Sequence, residues 1–437
     1  MTATERPNVV LIHWHDVGTH LGTYGHRDVT SPALDRLAAE GLRFDQAFCT
    51  TPLCSPARGS LFTGRYPHTN GLMGLVNRGW GYRPGERTAP SLLSELGYRT
   101  ALIGQQHESH DPFRLGFDEV HAWPPGRARC GPVSATSVEW LDAAPAEPFF
   151  LTVGFFETHR PYPAEEYPPV DPATVEVPPF LPDNHHTRED LAAFLGSIRV
   201  ADAATGRILD AIDRSGLADS TLVLFTTDHG IAYPRAKGTL YDPGIRVAFL
   251  ARPPRSWNVA PAAPDGLLSH VDVLPTLLEL AGGEVPPFVQ GQSFAGVLRG
   301  EPGPRRTEIF AEKNFHDEYD PIRGIRTDRY AYIRNLEPGT PLRLSGDIEG
   351  SRSRAGLGDD HLRPRPAEEL YDLDDDPWQL RDLADDASRA QVKAALAARL
   401  DAWMIETSDP ALAGPIDTMD HAGFAGTTPP IPEPGGR

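Results

Sequence analysis

Short apolar runs alternate with helix-spaced stretches from Val9 to Leu280, and several of the runs end in polar, reactive residues. Val9-Val10-Leu11-Ile12 reads as a buried strand running straight into His13-Trp14-His15-Asp16. Phe149 to Phe155 reads as another and ends at Glu157-Thr158-His159, and Thr221 to Thr227 delivers Asp228-His229. This alternation predicts an α/β architecture: a large, mostly parallel central sheet flanked by helices. Between the strands, Ser31-Pro32 opens a helix that Gly41 closes, and a helix from Ser91 to Leu96 stops at Gly97 before the strand Tyr98 to Ile103. Leu191, Leu195, Ile198, Leu209 and Ile212 fit one face of a long amphipathic helix. Val247 to Leu250 and a helix Val271 to Leu280 complete the larger unit. In open α/β sheets ligands bind beyond the carboxyl ends of the strands, so those ends define the candidate site.

From about Arg306 the texture changes. Glu308 to Ala311, Gly324 to Arg326 and Arg329 to Arg334 read as short strands of an antiparallel sheet. Glu337 to Pro366 reads as a polar insertion, before Glu369 to Leu373 and a helix from about Ser388 to Glu406. The expected division is a catalytic domain over 1–305 and a smaller C-terminal α+β domain over 306–437 that completes the site cleft. At 437 residues the chain exceeds the size at which a single core keeps growing, which favours such a split. The proline-rich segment Arg160 to Asp183 is expected to loop over the crevice, and the Pro/Gly-rich tail from Gly414 to be poorly ordered.

With 41 basic against 60 acidic residues the net charge is −19, which argues against nucleic acid or an anionic membrane as partner. An anionic substrate would therefore need a locally positive site inside a negative envelope. Cys49, Cys54 and Cys130 do not make a disulfide framework. No run approaches the roughly 20 apolar residues of a membrane span, and no charged segment followed by an apolar core precedes Asn8. The expectation is a soluble, cytoplasmic protein.

Cys54-Ser55-Pro56-Ala57-Arg58 concentrates the reactive chemistry. Pro56 suits a first helical turn, which puts Cys54 at the positive end of a helix dipole with Arg58 one turn on along the same face. That is a place to stabilise an anion. The pairs His15-Asp16 and Asp228-His229, each at a strand end and each followed within two residues by glycine (Gly18, Gly230), are candidate metal ligands. Oxygen ligands alone would suit Ca²⁺ or Mg²⁺, whereas the imidazoles favour Mn²⁺, Zn²⁺ or Fe²⁺.

The motif C-x-P-x-R at Cys54 resembles the signature of the sulfatase family, of the alkaline phosphatase-like superfamily. The resemblance extends through Ser31 to Ala38, Thr63-Gly64-Arg65-Tyr66-Pro67-His68, Asn70-Gly71, Lys237-Gly238-Thr239-Leu240-Tyr241, Gly244 to Val247, His270 to Thr276 and Glu369 to Asp376. Asn70 to Leu75, Asp228 to Ile231 and Glu406 to Pro410 are similar to the heparan N-sulfatase branch and its bacterial relatives.

The resemblance implies that a formylglycine-generating enzyme converts Cys54 to formylglycine, the nucleophile, which Arg58 holds together with its charge. It implies that His15, Asp16, Asp228 and His229 bind one divalent cation, and that His107 contacts the aldehyde hydrate. His159 would lie near the leaving group, and Lys237 would clamp the sulfate and help protonate the departing atom. Two positions depart from the family pattern: His15 stands where aspartate is usual, and Gln105 where most members carry a sulfate-binding lysine. His13, on the same strand face as His15, reads as a second-layer or packed residue. The expected activity is hydrolysis of a sulfate ester or sulfamate, on a sugar. The alternatives are a phosphonate monoester or phosphodiester hydrolase of the same superfamily, a non-catalytic binding protein on the same fold, and a metal hydrolase using a plain thiolate or bound water.

Overall fold

The computed structural model describes residues 6–124, 126–303 and 305–416. Most of the Pro/Gly-rich tail lies outside the described residues. The main sheet contains β1 (Asn8–Trp14), β2 (Leu42–Arg43), β4 (Arg99–Gly104), β5 (Glu119–Ala122), β6 (Phe149–Gly154), β7 (Thr221–Thr227) and β8 (Phe249–Arg252). Their spatial order is β2-β8-β7-β1-β6-β4-β5. From β7 to β5 all neighbours are parallel, as the alternating pattern predicts. β8 runs antiparallel to β7. Only the one-turn helix Asp242–Ile245 separates Thr227 from Phe249. With no crossover helix to carry it back, the chain reverses direction.

Both faces of the sheet are covered. Along β1, Val9 and Leu11 join a core that includes Ala57, Leu61, Leu92 and Leu277, contributed by the helices Cys54–Thr63, Ala89–Glu95 and Val273–Leu280. Val10, Ile12 and Trp14 point the other way, into a core with Leu34, Leu141 and Leu195. These come from the helices Pro32–Ala39, Cys130–Asp142 and His185–Arg214. This two-sided burial is why the central strands read as continuous apolar runs rather than alternating ones.

The small C-terminal sheet orders β10 (Glu308–Phe315), β11 (Tyr319–Thr327), β12 (Tyr330–Asn335) and β13 (Glu368–Asp372) antiparallel throughout. A two-stranded parallel ladder, β3 (Ala47–Phe48) with β9 (Leu268–Ser269), lies outside both sheets. One face of the small sheet joins the main core through Ile309, Ile322, Ile333 and Tyr371. The other packs Phe310, Ile325, Tyr332 and Leu370 on Leu400, Trp403 and Met404 of the helix Ala390–Glu406.

β10 and β11 extend well past their apolar stretches. Their polar residues are buried in pairs: Lys313 with Asp320 (2.6 Å), Arg323 with Asp409 (2.8 Å) and Glu312 with His68. Between β12 and β13 the polar insertion folds into short turns of helix, Gly346–Glu349, Arg352–Ala355 and Asp360–Leu362. Among the described residues no helix is long and apolar enough to cross a membrane.

Candidate active site

Strand order dictates what meets at the carboxyl edge. β7, β1, β6 and β4 are consecutive neighbours, and each parallel strand ends at the same edge. They present, in that order, Asp228-His229, His15-Asp16, His159, and Gln105 with His107. The two acidic/histidine pairs lock together through their backbones. Asp228 Oδ1 accepts hydrogen bonds from the amides of Asp16 and His229, both at 2.9 Å. Asp16 adopts a left-handed φ of 52°, which aspartate tolerates better than most residues.

The glycines after the pairs have a steric reason. Gly18 (φ +55°) donates its N–H to the His229 carbonyl, and a Cβ on it would stand 3.1 Å from Gly230 Cα. A Cβ on Gly230 would fall 1.7 Å from the Pro243 carbonyl oxygen. The two strand-end turns pack backbone to backbone, and only glycine fits.

The helix Cys54–Thr63 starts at this edge, capped by extended Leu53, and every one of its residues is buried. Cys54 is its first residue, and Pro56 sits at the third position, where no donor is needed. Cys54 Sγ lies 3.3 Å from His229 Nε2. One turn on, Arg58 donates from Nε and Nη2 to Asp228 Oδ2 at 3.3 and 3.2 Å and from Nη2 to the Trp14 carbonyl at 3.2 Å. Arg58 thus ties the helix to both strand ends.

Ligand atoms of His15, Asp16, Cys54 and Asp228 all lie within 4.8 Å of one another, and all four residues are buried. His229 Nε2 is 3.2 Å from Asp16 Oδ1 and 3.7 Å from Asp228 Oδ1. Its Nδ1 lies 2.9 Å from the Gly230 carbonyl, an acceptor, which fixes the ring with Nε2 turned toward Asp16, Asp228 and Cys54. His15 Nδ1 stands 2.9 Å from Asp228 Oδ2, while its buried Nε2 has no hydrogen-bond partner. Burial pushes the His15 pKa down to about 4, with Arg58 adding to the shift. For Asp228, burial is outweighed by His229, His15 and Arg58, which hold its carboxyl well below the usual range. Two imidazoles, two carboxylates and an orphaned ring nitrogen form a donor set that fits a divalent cation.

The remaining predicted residues surround this cluster. The His159 ring lies 5.6 Å from the His15 ring; its Nδ1 donates to the Arg160 carbonyl at 2.7 Å, which frees Nε2. The His107 ring is 6.5 Å from that of His15, and burial pushes its pKa well down, with His15 and Arg58 adding to the effect. Gln105 donates its side-chain amide to the Gln106 carbonyl at 2.9 Å. His13 is buried outside the cluster, and neither ring nitrogen has a hydrogen-bond partner.

Lys237 Nζ reaches Asp16 Oδ2 at 3.2 Å and Asp347 Oδ2 at 2.8 Å. Burial works against its charge, but Asp16 and Asp347 outweigh burial and hold it protonated. Asp16, His159 and Asp347 also form a cluster of ligand type, but the Lys237 ammonium already bridges its two carboxylates.

Sequence reasoning missed Asp347. It sits in the one-turn helix Gly346–Glu349 of the insertion, where no periodicity or motif marks it. A cavity of about 490 Å³ adjoins the site; Leu53 and Gly238, chain neighbours of Cys54 and Lys237, are in its wall with Lys313, His316, Arg343 and Ser345. The insertion and the β10–β11 turn therefore wall this cavity. In the proline-rich segment, Glu176 to Phe180 line a second cavity with Val17, Gly18 and Ile231, which follow the two strand-end pairs, and with Arg246 and Trp378. Arg160 anchors that segment's start to the long helix through Asp190, at 2.7 and 2.8 Å.

The sulfatase family model matches residues 7–283, and a model for the C-terminal region of N-sulphoglucosamine sulphohydrolase matches 230–341. Human N-sulphoglucosamine sulphohydrolase is 28% identical over 473 aligned residues, covering 95% of this chain and 93% of the relative. Human arylsulfatase A is 30% identical, covering 74% of each chain. Among solved structures, a Bacteroides thetaiotaomicron protein from a locus for glycosaminoglycan metabolism superposes with a TM-score of 0.77 at 22% identity, covering 95% of this chain and 99% of its own. With the family model spanning well over half of its length, the chain belongs to the sulfatase family, the hydrolases of sulfuric esters.

Proposed function

We propose that this protein is a formylglycine-dependent sulfatase that cleaves a sulfate ester or sulfamate of a sugar. One observation carries the reading: Cys54 begins a buried helix at the point where both strand-end pairs and Arg58 converge. Burial pushes the Cys54 thiol well above its ordinary pKa, although Lys237 and Arg58 pull it down. The C-x-P-x-R context supports oxidation to the aldehyde by a formylglycine-generating enzyme. The name of the N-sulphoglucosamine relative supports a sulfated sugar as substrate class, and the 490 Å³ cavity is of small-molecule size.

His15, Asp16, Asp228 and His229 would hold the divalent cation. The two imidazoles favour Mn²⁺ or another transition metal, with Ca²⁺ the alternative. When bound, the cation supplies positive charge beside the oxygens of residue 54 and the sulfuryl group. The hydrate of the aldehyde carries two hydroxyls on one carbon. One, its proton given up to solvent as it ionises, attacks sulfur in line, near Arg58, and the bond from sulfur to the sugar oxygen or nitrogen breaks. Lys237 and, as an imidazolium, His159 through Nε2 stabilise the departing atom, and one of them gives it its proton. His107, kept neutral by burial, takes the proton of the second hydroxyl. The bond from carbon to the sulfate oxygen then breaks, sulfate leaves and the aldehyde is restored. In this reading residues 1–305 carry the chemistry, and 306–437 complete the cleft.

Turnover of an aryl sulfate, an aryl sulfamate, a bis-aryl phosphodiester and an aryl phosphonate by metal-loaded protein tests the proposal. It requires the sulfate or sulfamate to be preferred. A preference for the phosphorus esters would transfer the site to that alternative.

A further inference from the structure

Asp347 has no part in the chemistry above, yet it holds the group that is to meet the substrate. Its Oδ2 accepts from Lys237 Nζ at 2.8 Å and lies 3.9 Å from His159 Nε2. Its Oδ1 accepts from the Ile348 amide at 3.1 Å and from Ser345 Oγ, so the carboxylate is fixed rather than swinging. Lys237 opposes burial and holds the Asp347 carboxyl below the usual carboxylate range. An ammonium has three donors. Asp16 accepts through Oδ2 at 3.2 Å and Oδ1 at 3.4 Å and Asp347 through Oδ2 at 2.8 Å, so the two carboxylates compete with the substrate for those donors.

Charge is limited in the same way. Around residue 54, Arg58 and Lys237 face Asp16, Asp228 and Asp347. A divalent cation in the four-residue site leaves a single positive charge over; without Asp347 there would be two. Gln105 adds none where a lysine would. The surplus matches a singly charged ester and falls short of a doubly charged one.

We infer that Asp347 is a specificity-determining residue: its carboxylate admits monoanionic groups to the site and disfavours dianionic phosphate monoesters. This rests on the sulfatase reading of the site. It adds selection at a residue that the insertion, not the sheet, supplies. Specificity then comes partly from a repulsive element rather than from added contacts to the preferred substrate.

The test is binding, so it does not depend on turnover or on oxidation of residue 54. Phenyl sulfate (one negative charge), phenyl phosphate at pH 8 (two) and methyl phenyl phosphate (one, on phosphorus) are titrated by calorimetry into Mn²⁺-loaded Cys54→Ala protein. The same titrations follow with Asp347→Asn and Asp347→Glu added. Asp347→Asn should tighten phenyl phosphate at least about tenfold relative to both singly charged ligands. Asp347→Glu, which keeps the charge, should retain the parent ratios. Unchanged ratios in Asp347→Asn would overturn the inference, as would an equal gain or loss for all three ligands, since the carboxylate would then only gate the site or orient Lys237. Failure of sulfate-ester turnover in the unmutated protein would sink the sulfatase reading while leaving these ratios measurable.

Discussion

The two halves of the site are built differently. The half at the strand ends sits on four adjacent parallel strands of the main sheet, with Asp228 and His229 fully buried and the Asp16 and His229 amides both donating to the Asp228 carboxylate. The half from the insertion rests on a one-turn helix between β12 and β13, and Gly346, Glu349 and Gly350 around Asp347 are exposed. A sheet edge fixes geometry because moving one residue there disturbs the ladder and both cores. A short surface turn can change its side chains without disturbing either. The contrast assigns reaction chemistry to the sheet and selection to the insertion.

Asp228→Asn should show the largest effect. It removes the negative charge and one of the two acceptor oxygens that Arg58, His15 and the amides of Asp16 and His229 share. Leaving Arg58 buried without its partner should cost about 3 kcal/mol of stability, seen as a lower unfolding midpoint together with loss of bound metal. Asp347→Asn should change neither. If it costs as much as Asp228→Asn, the division between the halves fails.

His159→Ala sharpens the contrast within the chemistry. Loss of an acid should slow an alkyl or sugar sulfate by about 10²-fold or more, with a much smaller effect on nitrophenyl sulfate, whose leaving group needs little protonation. Rate ratios across leaving groups measure this, and equal losses would move the acid to another residue.

Acid should separate the halves next. Burial lowers His15 to about 4 and His270 to about 3 from an ordinary 6.5. Over that window the unfolded chain binds more protons than the folded one. Stability of metal-free protein is therefore complete above about pH 6.5 and declines as pH falls toward 4, as melting curves in that range would show. Asp347, whose carboxyl is lowered, stays charged throughout that window, and its own contribution is lost only as pH falls into and below the ordinary carboxylate range.

Gln105→Lys should be the mildest change. Adding a cation at the β4 end should lower KM for a charged aryl sulfate by up to about tenfold with no loss of metal, read from steady-state kinetics.

The strand-end half was largely legible in the sequence, because continuous apolar strands and the residues at their ends are local signals. Thr221–Thr227 lies where the apolar run predicts it, with Asp228 at its end. The direction of β8 was not legible, since apolarity alone does not distinguish a strand that returns from one that crosses over. β10 and β11 were read too short because Lys313, Asp320 and Arg323 break the apolar pattern; their pairing partners are distant in sequence or across a turn. Asp347 escaped for a different reason. Its meaning lies entirely in a contact with Lys237, across 110 residues of chain.

The reaction assigned to the sheet half presupposes an aldehyde at position 54. Hydrazide labelling of the peptide containing Cys54, quantified against specific activity across preparations, measures this directly. The account predicts labelling that rises in proportion to activity and disappears in Cys54→Ala. Full activity in protein whose residue 54 is entirely unlabelled thiol would contradict it.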